Sequence, residues 1–261
     1  MTAPGDAATD DINLRMKPKS FKAFHQADRN FFLIFLTICW LGVIMGFKSG
    51  VSLRLQGRAD YPAPLILQIH AIAFSAWMLL LTAQICLVRV RRLSFHKTLG
   101  LTGAVLIPIM AVSAFFSEVY SQQFRLVHPP NSQPFFVIAI FYVVAFTALA
   151  TAALTFRRDP AAHKRFILLA TTIIVGAAYG RWWGTPLYDL FGEGLVGLLI
   201  YTFTGTNLIL AFAAGYDIAT RRRMHWVYQI GIPAILAGEV MTSVIFHSPA
   251  WLPIARVLVA R

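Results

Sequence analysis

Residues 65–88 read LILQIHAIAFSAWMLLLTAQICLV, an apolar run that contains no Asp, Glu, Lys or Arg. A helix needs about 17–25 mostly apolar residues to cross the hydrocarbon core of a bilayer, so this stretch predicts a transmembrane helix. The chain has seven apolar segments of this kind, at 31–47, 65–88, 99–117, 134–156, 166–180, 195–216 and 226–246. The fifth is short unless residues 181–183 extend it. The sequence therefore predicts an all-α polytopic membrane protein, a bundle of seven transmembrane helices.

The composition agrees with this class. The chain is 57% hydrophobic and only 13% charged, a balance that is ordinary in lipid and leaves little for a soluble domain. We divide it into a polar, basic segment at 1–30, a transmembrane domain at 31–247 and a short tail at 248–261. Cys39 and Cys86 both fall inside predicted spans, which favours packing roles over a disulfide.

The net charge of +12 is distributed unevenly along the chain. With seven spans, 16 of the 23 Lys and Arg residues fall on the side of the N-terminus and seven on the other side. The positive-inside rule then predicts a cytoplasmic N-terminus and a C-terminus outside, in a bacterial inner membrane. We expect the basic belts to contact anionic lipid headgroups and not nucleic acid.

Polar side chains inside apolar segments are the best functional candidates, because each one costs free energy in hydrocarbon unless it is paired. His70, Trp77 and Gln84 in the second segment, and Arg91 just after it, recur every seventh residue and so share one helix face. His70 fits either of two roles, a ligand to a cofactor or a hydrogen-bonded contact between helices.

Glu239 places a carboxyl group inside the seventh segment, where it has to be protonated, paired or wet. We expect it to be buried and to face His70, Arg181 or another polar group. It would then pin two helices together, transfer protons or hydrogen-bond to a histidine that binds a ligand. Ser243 and His247 follow it at four-residue steps. Asn207, in the sixth segment, predicts a hydrogen bond between helices.

Three histidines follow basic clusters at the mouths of predicted helices. They are His96 in RVRRLSFH, His163 in FRRDPAAH and His225 in TRRRMH. If the helices pack around one axis, the three imidazoles converge into a metal site, because neutral imidazole is a common ligand of zinc, copper and haem iron. Each histidine could equally cap its helix or contact phosphate headgroups.

The stretches QIHAIAFSAW around His70 and RRLSFHKTLG around His96 resemble the multi-histidine transmembrane b-type cytochromes. They also resemble ferric-reductase-like bacterial inner-membrane proteins, including uncharacterised ones. This resemblance implies electron transport with haem b or a transition metal held between helices, and the binding residues would be His70, His96, His163 and His225. The partner of His70 on the outer side would be His247 or His128.

Other classes of function remain open. The kinks expected at Pro108 and Pro233 are compatible with a small-molecule permease, although inverted halves are not visible. A non-catalytic subunit or assembly factor of a membrane complex, with other subunits or further copies of the chain as partners, would need only the fold. The ligand could also be a quinone or lipid alone. Fingerprints of Ser-His-Asp hydrolases and nucleotide-driven pumps are absent.

Overall fold

The computed structural model describes residues 21–59, 61–127 and 135–259, and these ranges contain eight α-helices and no β-strand. The helices are α1 Asp28–Leu55, α2 Leu65–Arg89, α3 Leu93–Val127, α4 Phe136–Thr155, α5 Pro160–Phe191, α6 Leu195–Arg221, α7 Trp226–His247 and α8 Trp251–Val259. The first seven are long and apolar enough to cross a membrane. The predicted all-α class and its seven apolar helices are confirmed.

Helix α5 is much longer than the apolar segment that predicted it. It begins at Pro160, whose missing amide hydrogen costs no hydrogen bond at the first position of a helix. Asp159 caps the helix by accepting hydrogen bonds from the amides of Ala161 at 2.8 Å and Ala162 at 3.2 Å. It ends at Gly192, which has a φ of +72°. At 32 residues, the helix has ample length for a membrane span.

Helix α5 also lies at the centre of the bundle, in contact with α1, α4, α6 and α7. In its most apolar stretch 72% of the residues are buried, compared with 22–44% in the other six long helices. α1 and α5 approach each other very closely at Gly46 of α1, where an added methyl group would overlap the backbone of Ala178 in α5. The side chains that α5 carries therefore form much of the interior.

The two ends of the bundle differ in charge. The end that we call the basic end carries residues 21–27 and the short connections 90–92, 156–159 and 222–225. The opposite end, which we call the far end, carries the last residues of α1, α3 and α5 and the first residues of α2, α4 and α6, and α8 follows α7 there. Polar side chains gather at both ends of the interior, and they define the candidate sites.

Candidate functional site

His96 of α3 and His163 of α5 lie side by side at the basic end, and their ring centroids are 6.5 Å apart. The Nδ1 atom of His163 lies 2.8 Å from the backbone oxygen of Ala153 in α4. Because a carbonyl oxygen can only accept a hydrogen bond, this contact requires the hydrogen on Nδ1 and leaves the lone pair of Nε2 free when the ring is neutral. A hydrogen bond between two helices, α5 and α4, thus holds this imidazole in a defined tautomer.

Gln84 of α2 adds a third polar side chain next to this pair. Its Nε2 atom lies 3.6 Å from the position that a Cβ on Gly100 would take, one turn along α3 from His96. Both amide atoms of Gln84 and the Nδ1 atom of His96 are buried and have no hydrogen-bond partner among the residues that the structure describes. Buried polar atoms are rarely left unpaired, so His96, His163 and Gln84, here called the histidine site, are suited to binding a ligand.

His225 occupies a different position from the one that convergence predicts. Its Nδ1 atom caps α7 by accepting a hydrogen bond of 3.3 Å from the amide of Val227, and its ring packs against Phe21 at 4.7 Å. Burial and the nearby Arg165 guanidinium lower the pKa of His225 to about 4. Among the described residues no group of three or more His, Cys, Asp or Glu side chains is arranged to hold a metal. A ligand role for His225 stays a prediction.

His70 lies in the half of α2 nearer the far end, apart from the histidine site. Its ring packs against Phe74 with a centroid separation of 4.3 Å, and its buried Nδ1 atom has no hydrogen-bond partner in the described part of the chain. Of its two predicted partners, His128 lies outside the described residues. The Nδ1 atom of His247 lies 2.7 Å from the backbone oxygen of Ser243 in its own helix. A ligand role for His70 also stays a prediction.

Glu239 is buried, with 2% of its surface exposed, and accepts a 3.0 Å hydrogen bond from the amide nitrogen of Asn207 in α6. This confirms that the carboxyl group faces a polar group inside the bundle, and it gives Asn207 the interhelical bond expected of it. The guanidinium of Arg181 points elsewhere: it donates to the backbone oxygen of Ala177 at 2.8 Å and lies over the ring of Phe47 at 5.0 Å.

A network of five charged side chains at the basic end was not visible in the sequence. Asp28 of α1 pairs with Lys164 of α5 at 2.7 Å and with Arg221 of α6 at 2.9 Å, and it accepts a further bond from Tyr216 at 2.5 Å. Arg165 of α5 pairs with Asp217 of α6. We call Asp28, Lys164, Arg165, Asp217 and Arg221 the ion network. It holds the ends of three helices next to the histidine site.

No protein-family model, no curated protein and no solved structure matches this chain. Its function has to be inferred from the arrangement of its own residues.

Proposed function

We propose that this chain is a multi-pass protein of a bacterial inner membrane, with its N-terminus in the cytoplasm, that binds a transition metal between His96 and His163. The observation that carries the proposal is the 6.5 Å separation of the two imidazole centroids on different helices. The orientation rests on the excess of Lys and Arg on the side of the N-terminus. The basic end, with the histidine site, then faces the cytoplasm and its anionic headgroups.

The spacing of the two rings suits a shared metal. Metal–nitrogen bonds of about 2.0–2.1 Å on both sides, together with the distance from each nitrogen to its ring centre, bring two imidazoles on one ion to a centroid separation of roughly 6 Å. The observed separation is close to this value, so small side-chain rotations could place both nitrogens on one ion.

The surroundings of His163 are those of a metal-binding histidine. A ligating imidazole commonly donates its other N–H group to a backbone carbonyl or a carboxylate, which orients the ring and raises its basicity. The Nδ1 contact with the Ala153 oxygen supplies this arrangement and leaves the lone pair of Nε2 for a ligand. On the other ring, the Nδ1 atom of His96 is buried and has no hydrogen-bond partner among the described residues, which suits it to bind the same ion. The Gln84 amide is placed to bind or orient a further ligand of the ion.

Two forms of the metal share this chemistry, a bare ion and haem iron, since both accept a pair of neutral imidazoles. A copper ion or haem iron would supply one-electron transfer across part of the membrane. What the chain itself contributes is the fixed tautomer of His163, the buried Nδ1 atom of His96 and a cationic ion network beside the site.

The test is a metal assay and an absorption spectrum of the purified protein, for wild type and the variants His96→Ala and His163→Ala. Bound metal should fall to background in both variants. If a Soret band is present in wild type and disappears together with the metal in the variants, the ligand is haem. Metal without a Soret band in wild type would identify a bare ion. His247→Ala is the matched control, because that imidazole is bonded within its own helix at the far end. A folded wild-type protein that is colourless and takes up no added copper, zinc, iron or haem would refute the proposal.

A further inference from the structure

A second group of buried polar side chains lies between α4, α5, α6 and α7, away from the histidine site. Its centre is Glu239, eight residues before the end of α7 and so roughly 12 Å along the helix from the far end. The Oε2 atom of the carboxyl accepts the hydrogen bond from Asn207. The other oxygen, Oε1, is buried and has no hydrogen-bond partner within residues 21–59, 61–127 and 135–259.

Further oxygens without a hydrogen-bond partner among the described residues come from α4, from α6 and from α7 itself. They are the amide oxygen of Asn207 and the hydroxyl oxygens of Tyr142, Thr202, Thr206 and Ser243. Thr206 and Ser243 are fully buried, and Thr202 has 5% of its surface exposed. Such a concentration of buried, unpaired oxygens is costly in hydrocarbon unless a ligand satisfies them.

The absence of a side chain at Gly176 of α5 leaves a space that two of these hydroxyls border. A Cβ at that position would overlap the hydroxyl oxygen of Thr206 and would lie 3.6 Å from the hydroxyl oxygen of Tyr142. Tyr142 and Glu239 are also close enough to interact electrostatically. We call Glu239, Asn207, Thr206, Tyr142 and Ser243 the oxygen cluster.

The charge and the donor atoms of the oxygen cluster specify what it would bind. No ion pair among the described residues involves Glu239, so its carboxylate is the single charge of the cluster. One positive charge neutralises it, whereas a divalent ion would leave an excess charge in a medium of low dielectric constant. Oxygen ligands suit hard cations and do not favour the softer transition metals.

We propose that the oxygen cluster binds one monovalent cation, either a proton on Glu239 or Na⁺ held by Glu239 and its neighbours. The inference goes beyond the metal site, since it concerns other residues and another half of the bundle. Coupling ions of membrane transporters bind near the bilayer midplane, at the interface between helices. A site of this kind gives the protein a means of linking a cation gradient to its activity.

Few other titratable groups face Glu239 from the elements that pack against α7. On α4 the group is Tyr142, and on α5 it is Arg181, which interacts with Tyr142. At this level α6 contributes uncharged side chains, Thr202, Thr206 and Asn207. On α8, Arg256 is exposed, and on α7 itself His247 lies two turns away. A response to pH that disappears with the Glu239 carboxyl can therefore be assigned to it.

The experiment measures the unfolding temperature of the purified protein in NaCl and in choline chloride of equal ionic strength, in acidic and alkaline buffers. Infrared difference spectra between the two pH values detect a protonated carboxyl in the same samples. Both are repeated for Glu239→Gln, which removes the charge at nearly constant shape. Glu193→Gln is the matched control, because Glu193 is exposed and its carboxylate accepts a hydrogen bond from the hydroxyl of Tyr188 at the protein surface.

A Na⁺ site predicts that NaCl raises the unfolding temperature by a few degrees over choline chloride at alkaline pH, and that Glu239→Gln abolishes this shift. A proton site predicts no difference between the salts, but an infrared carboxyl band that Glu239→Gln removes and Glu193→Gln retains. Wild type and Glu239→Gln that respond identically to Na⁺ and pH, with identical carboxyl bands, would overturn the proposal.

Two milder variants keep the test decisive if Glu239→Gln does not fold. Tyr142→Phe and Thr206→Val each remove one oxygen of the oxygen cluster while nearly conserving volume. Either variant should weaken the Na⁺-dependent shift or move the infrared carboxyl band, because each oxygen is a ligand of the ion or a partner of the protonated carboxyl. Spectra and salt responses that match wild type in both variants would equally overturn the proposal.

Discussion

Arg165 of α5 and Asp217 of α6 form a buried, bidentate ion pair whose side chains are 2% and 1% exposed. Nε of Arg165 donates to Oδ2 of Asp217 at 2.8 Å, and Nη2 donates to Oδ1. Oδ2 also accepts a 3.1 Å hydrogen bond from the backbone amide of His225, which precedes α7. One carboxylate thus joins three helices, and its loss would leave a buried guanidinium without a full counter-charge.

Replacing Asp217 by Ala should therefore lower the free energy of unfolding by about 3–5 kcal/mol. The measurement is the unfolding of the purified protein in mixed micelles of mild detergent and dodecyl sulfate. Asp189→Ala is the control, since Asp189 is exposed near the opposite end of α5, and its effect should stay within about 0.5 kcal/mol. Equal stabilities of the two variants would contradict the structural role of Asp217.

Removing both charges of the Arg165–Asp217 pair should lower the free energy of unfolding by less than the sum of the two single replacements. In the double variant Arg165→Met with Asp217→Leu, no unpaired charge remains buried, and apolar side chains fill a similar volume. We expect its unfolding free energy to lie above that of Asp217→Ala and of Arg165→Met alone. Additive losses, in which the double variant is the least stable of the three, would show that the two side chains act independently.

Much of the fold could be predicted from hydropathy, because a membrane span needs a long apolar run and seven such runs are present. The full lengths of the helices could not be predicted in this way, and α5 shows why. Arg181 interrupts its apolar pattern, and yet the helix continues to Phe191. A charged residue inside a packed helix lowers the hydropathy of the segment without breaking backbone hydrogen bonds, so hydropathy underestimates the central helix.

Pairings between helices were harder to predict than the helices themselves. Glu239 and Asn207 were both recognised as polar groups within spans, but their mutual bond depends on how α6 and α7 rotate against each other. His96 and His163 meet, whereas the ring of His225 is held in its place as the cap of α7. Arg165 belongs to one of the basic clusters in the sequence. Sequence position alone does not show that it faces its partner Asp217 inside the bundle.

The contact between α1 and α5 predicts opposite effects for two glycines of the same helix. In Gly46→Ala the added methyl would overlap the backbone of Ala178, and forcing α1 away should cost about 1–3 kcal/mol. In Gly50→Ala none of the described atoms lies within 4 Å of the new methyl. The better helix propensity of Ala should therefore raise the free energy of unfolding by up to about 1 kcal/mol. Unfolding in mixed micelles compares them, and a loss of stability in both variants would argue against the close packing at Gly46.

The proposed orientation predicts the location of three reporter fusions. Reporters at Gln56 between α1 and α2, at Ser94 at the start of α3, and at the C-terminus should report outside, cytoplasm and outside, respectively. Paired reporters active on opposite sides of the membrane, such as alkaline phosphatase and a fluorescent protein, provide the measurement. A cytoplasmic C-terminus would mean that one of the seven long helices does not cross the bilayer.

His225 should make the stability of the protein depend on pH. Its pKa in the folded protein is about 4, below its ordinary value of 6.5, because burial and the Arg165 charge disfavour the imidazolium, although Asp159 and Asp217 favour it. Between these two values the unfolded chain binds the proton and the folded chain does not. The folded state therefore loses stability as the pH falls from about 6.5 towards about 4, and this contribution is fully present above pH 6.5.

The variant His225→Ser isolates this effect, because serine is a good N-cap and does not titrate in this range. We expect wild type and His225→Ser to differ in unfolding temperature by a constant amount above pH 6.5. The difference should then shift in favour of the variant as the pH falls towards 4, while the other titrating groups cancel in the comparison. A difference that stays constant over the whole range would mean that the imidazole is protonated equally in the folded and the unfolded chain. That result would contradict the lowered pKa that follows from its buried position beside Arg165.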